Sequence, residues 1–496
     1  MTDPTPPSTK RRAPSWLLPS LVFALAAAIR LSLANHSLWF DEQASLFFSD
    51  QPFSRPWSDW MLRETNPPLY YTLLRIWRIF GSSDLAIRSL SIAASLCALA
   101  LIFAIARRTY GNGAGFVALV LGAMSSSQIY YAEQARAYIF VQCATLVAAG
   151  ALLLFSTSAS LAHRRWSVVA FALSSTAAIY LHTTMLVFPA VAVAALLLAN
   201  WKRSIEQPSW LLPIAAAALA AYLAGGWAIR IALLQFTTRY DNIAAVGILD
   251  PRLMAYWSLK SLFFTSIIGP AFTILSATML VLVVMFVVAD QASPATRLLA
   301  GLTVIGLAVF ALIGVRAPFF ALRTIFWMTG PTLILTSGAI MRFSTPLVRV
   351  AIMTALSAGI AVDTINVARQ LEEEDWNTPV AAASSHPGSV ILVEGESMAL
   401  LADLNCRRLR AAPCPYQVVA LIDPDDHSDS WGTGSFAGPK TSLDRVATLV
   451  GDRPLFLFRK QSSHDVPDLL HRHGMGHGVP ADGPPLIGPL HASDLR

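Results

Sequence analysis

Two adjacent carboxylates, Asp41 and Glu42, end the run Leu38-Trp39-Phe40-Asp41-Glu42, just past an apolar segment at about residues 16–34. Ionisable side chains are costly to hold where water, headgroup and hydrocarbon meet, so they have a partner or a task there. The task open to a carboxylate is to take a proton from an incoming hydroxyl. The plainer alternative is a solvated acidic cap beside an interfacial tryptophan, Trp39. Cations that would serve such chemistry lie on other connections between apolar runs: Arg63, Arg136, Arg316 and Arg323, with His182. Arginine grips phosphate bidentately, and a phosphate at that depth belongs naturally to a lipid headgroup. Bound to cations, phosphate is a good leaving group. The set therefore suits transfer of a group from a lipid phosphate to an acceptor.

The elements that must position these residues are membrane helices. Hydrophobic residues make up 55% of the 496 and charged residues 13%, about half the charged share of a soluble protein; mean hydropathy is +0.54. Apolar runs fall near 16–34, 85–106, 113–130, 138–156, 166–181, 183–199, 211–229, 258–289, 298–315, 324–341 and 346–362, which predicts about eleven spans. The run 258–289 contains Gly269-Pro270 and reads as a kinked span or as a re-entrant piece plus a span. The net charge of +6 gathers at segment ends, so it argues for no nucleic-acid partner. Residues 1–15 read as a disordered cytoplasmic leader and 16–362 as the membrane domain. With the leader inside, Arg107-Arg108, His163-Arg164-Arg165, Lys202-Arg203, Arg297, Arg342 and Arg349 all fall on the cytoplasmic side. Asp41, Glu42 and everything after 362 then face outward.

The outer connections can share one cavity. The first, about 35–84, is rich in aromatics, and its segment 69–80 has the helical apolar spacing of a piece lying flat in the interface. The second carries Glu133, Arg136 and Tyr138; Glu133 and Arg136 also fit a plain i,i+3 helix pair. His182 marks a tight turn, where a plain cap is the simpler role, and Arg88 at the start of a span suits a headgroup anchor. Residues 363–460 read as a small outer α/β domain, with strands at 389–393, 418–422 and 455–458. Residues 461–496 read as a disordered tail whose histidines are more simply explained by flexibility than by metal. Asp423-Pro424-Asp425-Asp426 reads as a turn. Cys97 and Cys143 fall inside spans, while Cys406 and Cys414 suit a disulfide if the tail is extracytoplasmic.

Leu38-Trp39-Phe40-Asp41-Glu42, then Asn66-Pro67-Pro68-Leu69-Tyr70-Tyr71, Gly81 with Arg88, and Tyr131-Ala132-Glu133-Gln134-Ala135-Arg136-Ala137-Tyr138 together resemble the multi-spanning GT-C glycosyltransferases. Closest in look are bacterial relatives of protein O-mannosyltransferases and of the aminoarabinose transferases that modify lipid A. The resemblance covers 16–200 well, 201–362 in outline, and not the tail. It implies a polyprenyl-phosphate-linked monosaccharide donor, an extracytoplasmic acceptor (lipid, polysaccharide or protein), and inverting transfer on the outer face of a bacterial cytoplasmic (inner) membrane. It places Asp41 as the catalytic or acceptor-orienting group, with Glu42 sharing or orienting. Donor contacts carried over are Glu133, Arg136 and Tyr138, with Arg323 ahead of Pro331 as a weaker match. Where relatives often have a lysine before the two prolines this chain has Glu64-Thr65-Asn66, so Arg63 is the local substitute. Oligosaccharide-transferring relatives hold a divalent ion with spaced acidic pairs; here the acids are adjacent, so no metal or other cofactor is expected. Two other readings fit the composition: a lipid-linked sugar flippase, which would carry ionisable residues along a path deep in the spans, and a membrane-anchored sensor working through its outer domain.

Overall fold

The computed structural model describes residues 16–238, 250–263, 270–290, 293–315, 320–370, 375–410, 413–422, 435–458, 466–476, 479, 486–491 and 494. Among the described residues helices lie in each apolar run read from the sequence and in the connections between them: α1 (Leu17–Leu33), α2 (Phe40–Asp50), α3 (Leu69–Trp77), α4 (Asp84–Tyr110), α5 (Asn112–Met124), α6 (Ser126–Ala132), α7 (Tyr138–Thr157), α8 (Leu161–Leu181) and α9 (Phe188–Ala199), with further helices onward to Pro346–Gln370. Among the described residues five helices are long and apolar enough to cross a membrane, or seven if each of two bent pairs is one span. The protein is an integral membrane protein, and by length and apolarity the described residues supply fewer spans than the expected eleven. Leu17–Leu33, Thr183–Ala199 and Ile274–Ala289 are apolar but short. The described residues of the run 258–289 lie in helices Pro251–Phe263 and Pro270–Ala289.

The bend between α5 and α6, 58°, leaves carbonyls near the break without their regular helical donors, a serious deficit in an apolar bundle. Arg30, fully buried in the last turn of α1, supplies donors instead. Its Nη1 donates to Ala123 O at 3.1 Å and to Ala26 O at 3.1 Å, and its Nε to Ser95 Oγ at 2.9 Å. Elsewhere helices approach through small residues: a Cβ added at Gly301, in the helix Pro294–Gly314, would meet Ala195 Cβ of α9 at 3.1 Å.

The outer connection after α1 folds rather than floats. α2 packs on α3 through an aromatic cluster in which the ring of Phe48 lies 5.2 Å from both Phe47 and Tyr71 and 5.6 Å from Trp60. α3 buries Tyr70, Tyr71 and Leu74 and leaves Ile76, with Ile79 and Phe80 just beyond it, exposed. That is the pattern of a segment lying in the membrane interface.

The C-terminal domain is a five-stranded sheet in the order β3-β2-β1-β4-β5, built from β1 (Val390–Glu394), β2 (Gln417–Leu421), β3 (Lys440–Thr441), β4 (Leu455–Phe458) and β5 (Leu486–Leu490). All pairings are parallel except β4–β5. β1 is buried throughout, as a strand covered on both faces must be. Gly395, with φ of 77°, makes the turn from β1 into the helix Glu396–Arg410, which lies over α2. Cys406 and Cys414 are disulfide-bonded. The tail expected to be disordered from 461 carries a helix, Val466–Arg472, and β5. β5 contains Gly488-Pro489, which an edge strand tolerates and a central one does not. The run Asp423-Pro424-Asp425-Asp426 lies outside the described residues.

Candidate active site

Asp41 sits in the first turn of α2, one residue from its start. Its carboxylate is 3.7 Å from Arg136 and 3.8 Å from Arg323, with the side chain 23% exposed. These are ion-pair rather than hydrogen-bonding separations, so the oxygens are attracted but not saturated. Arg136 lies in the non-helical stretch between α6 and α7, where its Nη1 donates to Asp41 O at 3.2 Å and Ser45 Oγ at 3.3 Å. The i,i+3 helix pair with Glu133 therefore does not form. Arg323, in the short helix Leu322–Ile325, is half exposed.

Aromatic and imidazole rings line the same place. Arg136 lies 6.0 Å from the centre of the Tyr138 ring, and the His182 ring lies tilted against Tyr138 with centroids 5.8 Å apart. Asn66, Tyr70, Tyr71, Arg136, Ala137 and Tyr138 enclose a small recess. Glu64 closes its rim by accepting from Tyr71 Oη at 3.0 Å and from Asn66 Nδ2 at 2.9 Å. His182 ends α8 and caps the next turn, its Nδ1 accepting from the Thr184 backbone N at 3.3 Å. A backbone N–H only donates, so the neutral ring carries its proton on Nε2. Burial, with Arg323 and Arg136 nearby, pulls the imidazole down from 6.5 to about 3, which keeps it neutral at ordinary pH.

Glu42 does not share this pocket, contrary to its expected catalytic or orienting contact. It is fully buried and paired in fork geometry with Arg88 of α4, at 3.0 and 2.5 Å. The backbone N of Ala135 donates to it at 2.7 Å and that of Trp39 at 3.1 Å. Saturated and away from solvent, it fastens α2 to α4 and to the stretch that carries Arg136. Arg88 is correspondingly no headgroup anchor: it has no exposed surface and also donates to Ala34 O and Ser37 O.

Glu133 is also fully buried, and neither carboxylate oxygen has a hydrogen-bond partner. It lies among Arg88, Arg30 and Glu42, and burial pushes its carboxyl up to about 8. It is therefore no donor contact in this arrangement. Arg63 lies over the Trp60 ring at 4.7 Å and donates to Ser435 Oγ of the C-terminal domain at 3.0 Å. Arg316 lies outside the described residues. Among the described residues no group of three or more His, Cys, Asp or Glu side chains is placed to hold a metal. Asp41, Arg136, Tyr138, His182 and Arg323 thus come together. Sequence reasoning found no partner for Arg88, which it read as part of the family pattern or as an anchor, and noted Glu64 only as a departure from a pattern.

A family model described as dolichyl-phosphate-mannose-protein mannosyltransferase matches residues 65–227, the stretch that contributes Arg136, Tyr138 and His182. The fold is similar to that of ArnT from Cupriavidus metallidurans, solved bound to undecaprenyl phosphate. The TM-score is 0.58 at 13% identity, over 90% of this chain and 93% of that one. The archaeal oligosaccharyltransferase AglB from Archaeoglobus fulgidus matches more loosely, with a TM-score of 0.47 at 11% identity over 76% of this chain and 62% of that one. No curated protein sequence matches the chain. In family model and in fold the chain resembles the GT-C type of integral membrane glycosyltransferase.

Proposed function

We propose that the protein transfers a monosaccharide from a polyprenyl-phosphate donor to a hydroxyl acceptor at the extracytoplasmic face of a bacterial cytoplasmic membrane, with inversion at the anomeric carbon. The observation that carries this reading is the Asp41 carboxylate lying between Arg136 and Arg323 at 3.7 and 3.8 Å. In the step it supports, the acceptor oxygen forms a bond to the anomeric carbon as the bond from that carbon to phosphate oxygen breaks. The hydroxyl proton passes to Asp41, and the electron pair leaves with the polyprenyl phosphate. Arg136 and Arg323 hold the donor phosphate and stabilise the charge that develops on it. Tyr138 and its neighbours offer ring faces to the sugar, and His182 offers an Nε2 proton as a neutral donor. Undecaprenyl phosphate bound to ArnT supports a donor of this kind.

Ionisable groups buried among the helices do not favour a flippase. Arg30 is in the last turn of α1, Arg88 near the start of α4, and Glu133 just past α6. These three lie at helix ends rather than tracing a path across; Asp363, within the helix Pro346–Gln370, is also fully buried and accepts from Ser126 of α6. The test is purified protein in proteoliposomes with a panel of polyprenyl-phosphate sugars and a mixed lipid and glycan acceptor pool. Loss of one donor with release of polyprenyl phosphate is expected. Movement of intact donor between leaflets, with no cleavage, would replace this reading with transport.

A further inference from the structure

The C-terminal domain touches the membrane domain through a set of buried polar contacts that a passive appendage would not need. Asn405, on the helix Glu396–Arg410, has no exposed surface, and Gln43 of α2 is 2% exposed. Gln43 Nε2 donates to Asn405 Oδ1 at 3.0 Å. The same oxygen accepts from Arg408 Nη2 at 2.7 Å, and Asn405 Nδ2 donates to Trp376 O at 3.1 Å. Arg408 also pairs with Asp84, the first residue of α4, at 2.6 Å. Asn377 Nδ2 donates to Asp84 as well, and the Trp376 backbone N donates to Ser37 Oγ just ahead of α2.

These contacts close a circuit. α2 is joined to α4 by Glu42–Arg88, α4 to the outer helix by Asp84–Arg408, and the outer helix back to α2 by Asn405–Gln43. Asp41 is next to both α2 anchors, Glu42 and Gln43. Two fastenings on adjacent residues fix both the axial position of α2 and its rotation about its axis, which neither alone would do. The disulfide Cys406–Cys414 begins at the residue after Asn405, so the segment supplying Asn405 and Arg408 is itself tethered.

We infer that Asn405 and Gln43 are positioning residues for Asp41, which makes the C-terminal domain a working part of the transferase site. The inference rests on the transferase reading above. A misplacement of about 1 Å at a reacting group can lower turnover roughly 100-fold, so the effect belongs in kcat rather than in donor binding by Arg136 and Arg323.

The test uses the full-length disulfide-bonded protein in proteoliposomes. Gln43→Met and Asn405→Leu keep approximate shape but remove the polar link. Each is expected to lower kcat about 10- to 100-fold with donor KM unchanged, and the double variant to fall no further than the weaker single. Asn405→Asp, which keeps the accepting oxygen, is expected to retain more activity than Asn405→Leu. Unchanged kcat in both singles, or a double variant whose loss is the product of the two, would overturn the link. Should Asn405→Leu not fold, Gln43→Met decides on its own kcat and KM. Failure of the unaltered protein to cleave any donor would strike the transferase reading instead.

Discussion

Asp41 and Glu42 are neighbours with nearly the same chemistry, and the helix separates what they do. Successive side chains on an α-helix point about 100° apart, so one carboxylate meets Arg136 and Arg323 while the other turns inward to Arg88. Replacing Glu42 with Gln leaves Arg88 buried without its counter-charge, a loss of roughly 3–5 kcal/mol for a broken buried pair. We expect Glu42→Gln to melt well below the unaltered protein in detergent, while Asp41→Asn melts near it; fluorimetry of the three side by side checks this. Glu133 gives a pH effect of definite sign. Its carboxyl is raised from 4.5 to about 8 in the folded chain, so between those values the unfolded chain releases a proton that the folded chain retains. Stability then falls as pH rises through that window. Melting temperatures taken from pH 5 to pH 8 should decline for the native protein and be flatter for Glu133→Gln; parallel slopes would remove Glu133 as the cause.

Among the elements, the break between α5 and α6 shows how a bundle keeps an irregular stretch. Arg30 satisfies the carbonyls that the bend releases, and each hydrogen bond to a charged group is worth about 1.5–3 kcal/mol. Arg30→Met is expected to speed amide hydrogen exchange at residues 122–128 and to lower the melting temperature. Unchanged exchange there would mean that the break is held by other contacts. The apolar helices were legible in the sequence, because long apolar runs leave few alternatives. Their number as spans was not: among the described residues five, or seven with the bent pairs, are long enough to cross. The clustering of Asp41 with Arg136 and Arg323 was legible too, since all three sit at ends of apolar runs on what the basic residues make one side. The partner of Glu42 was not legible. Arg88 lies 46 residues on, and a lone arginine opening a span looks the same whether it meets lipid or a buried carboxylate. β5 escaped for a similar reason: 461–496 reads as a disordered tail, and only pairing with β4 makes an edge strand of its end.

For the molecule as a whole, the arrangement makes sense only if the first outer connection, the loop at His182 and the C-terminal domain share one side of the membrane. Single cysteines test that directly. Ser58→Cys and Ser385→Cys, both exposed, should react with a membrane-impermeant maleimide on intact cells. Exposed Ser160→Cys, between α7 and α8, should react only after permeabilisation. Labelling of all three from outside would contradict the topology. The domain that rests on α2 was visible in the sequence as strands and a helix, but its engagement with Gln43 and Asp84 was not. Asn405 and Arg408 look like ordinary surface residues until the rest of the chain is folded beneath them.

The central claim is that the Asp41 carboxylate takes the proton of the acceptor while Arg136 and Arg323 hold the lipid phosphate. Single-turnover cleavage of a labelled polyprenyl-phosphate sugar, compared between the native protein and Asp41→Asn at equal donor occupancy, tests it most directly. Loss of a general base predicts a rate lower by about 10²- to 10⁴-fold with donor binding retained. Cleavage by Asp41→Asn at the native rate would contradict the account.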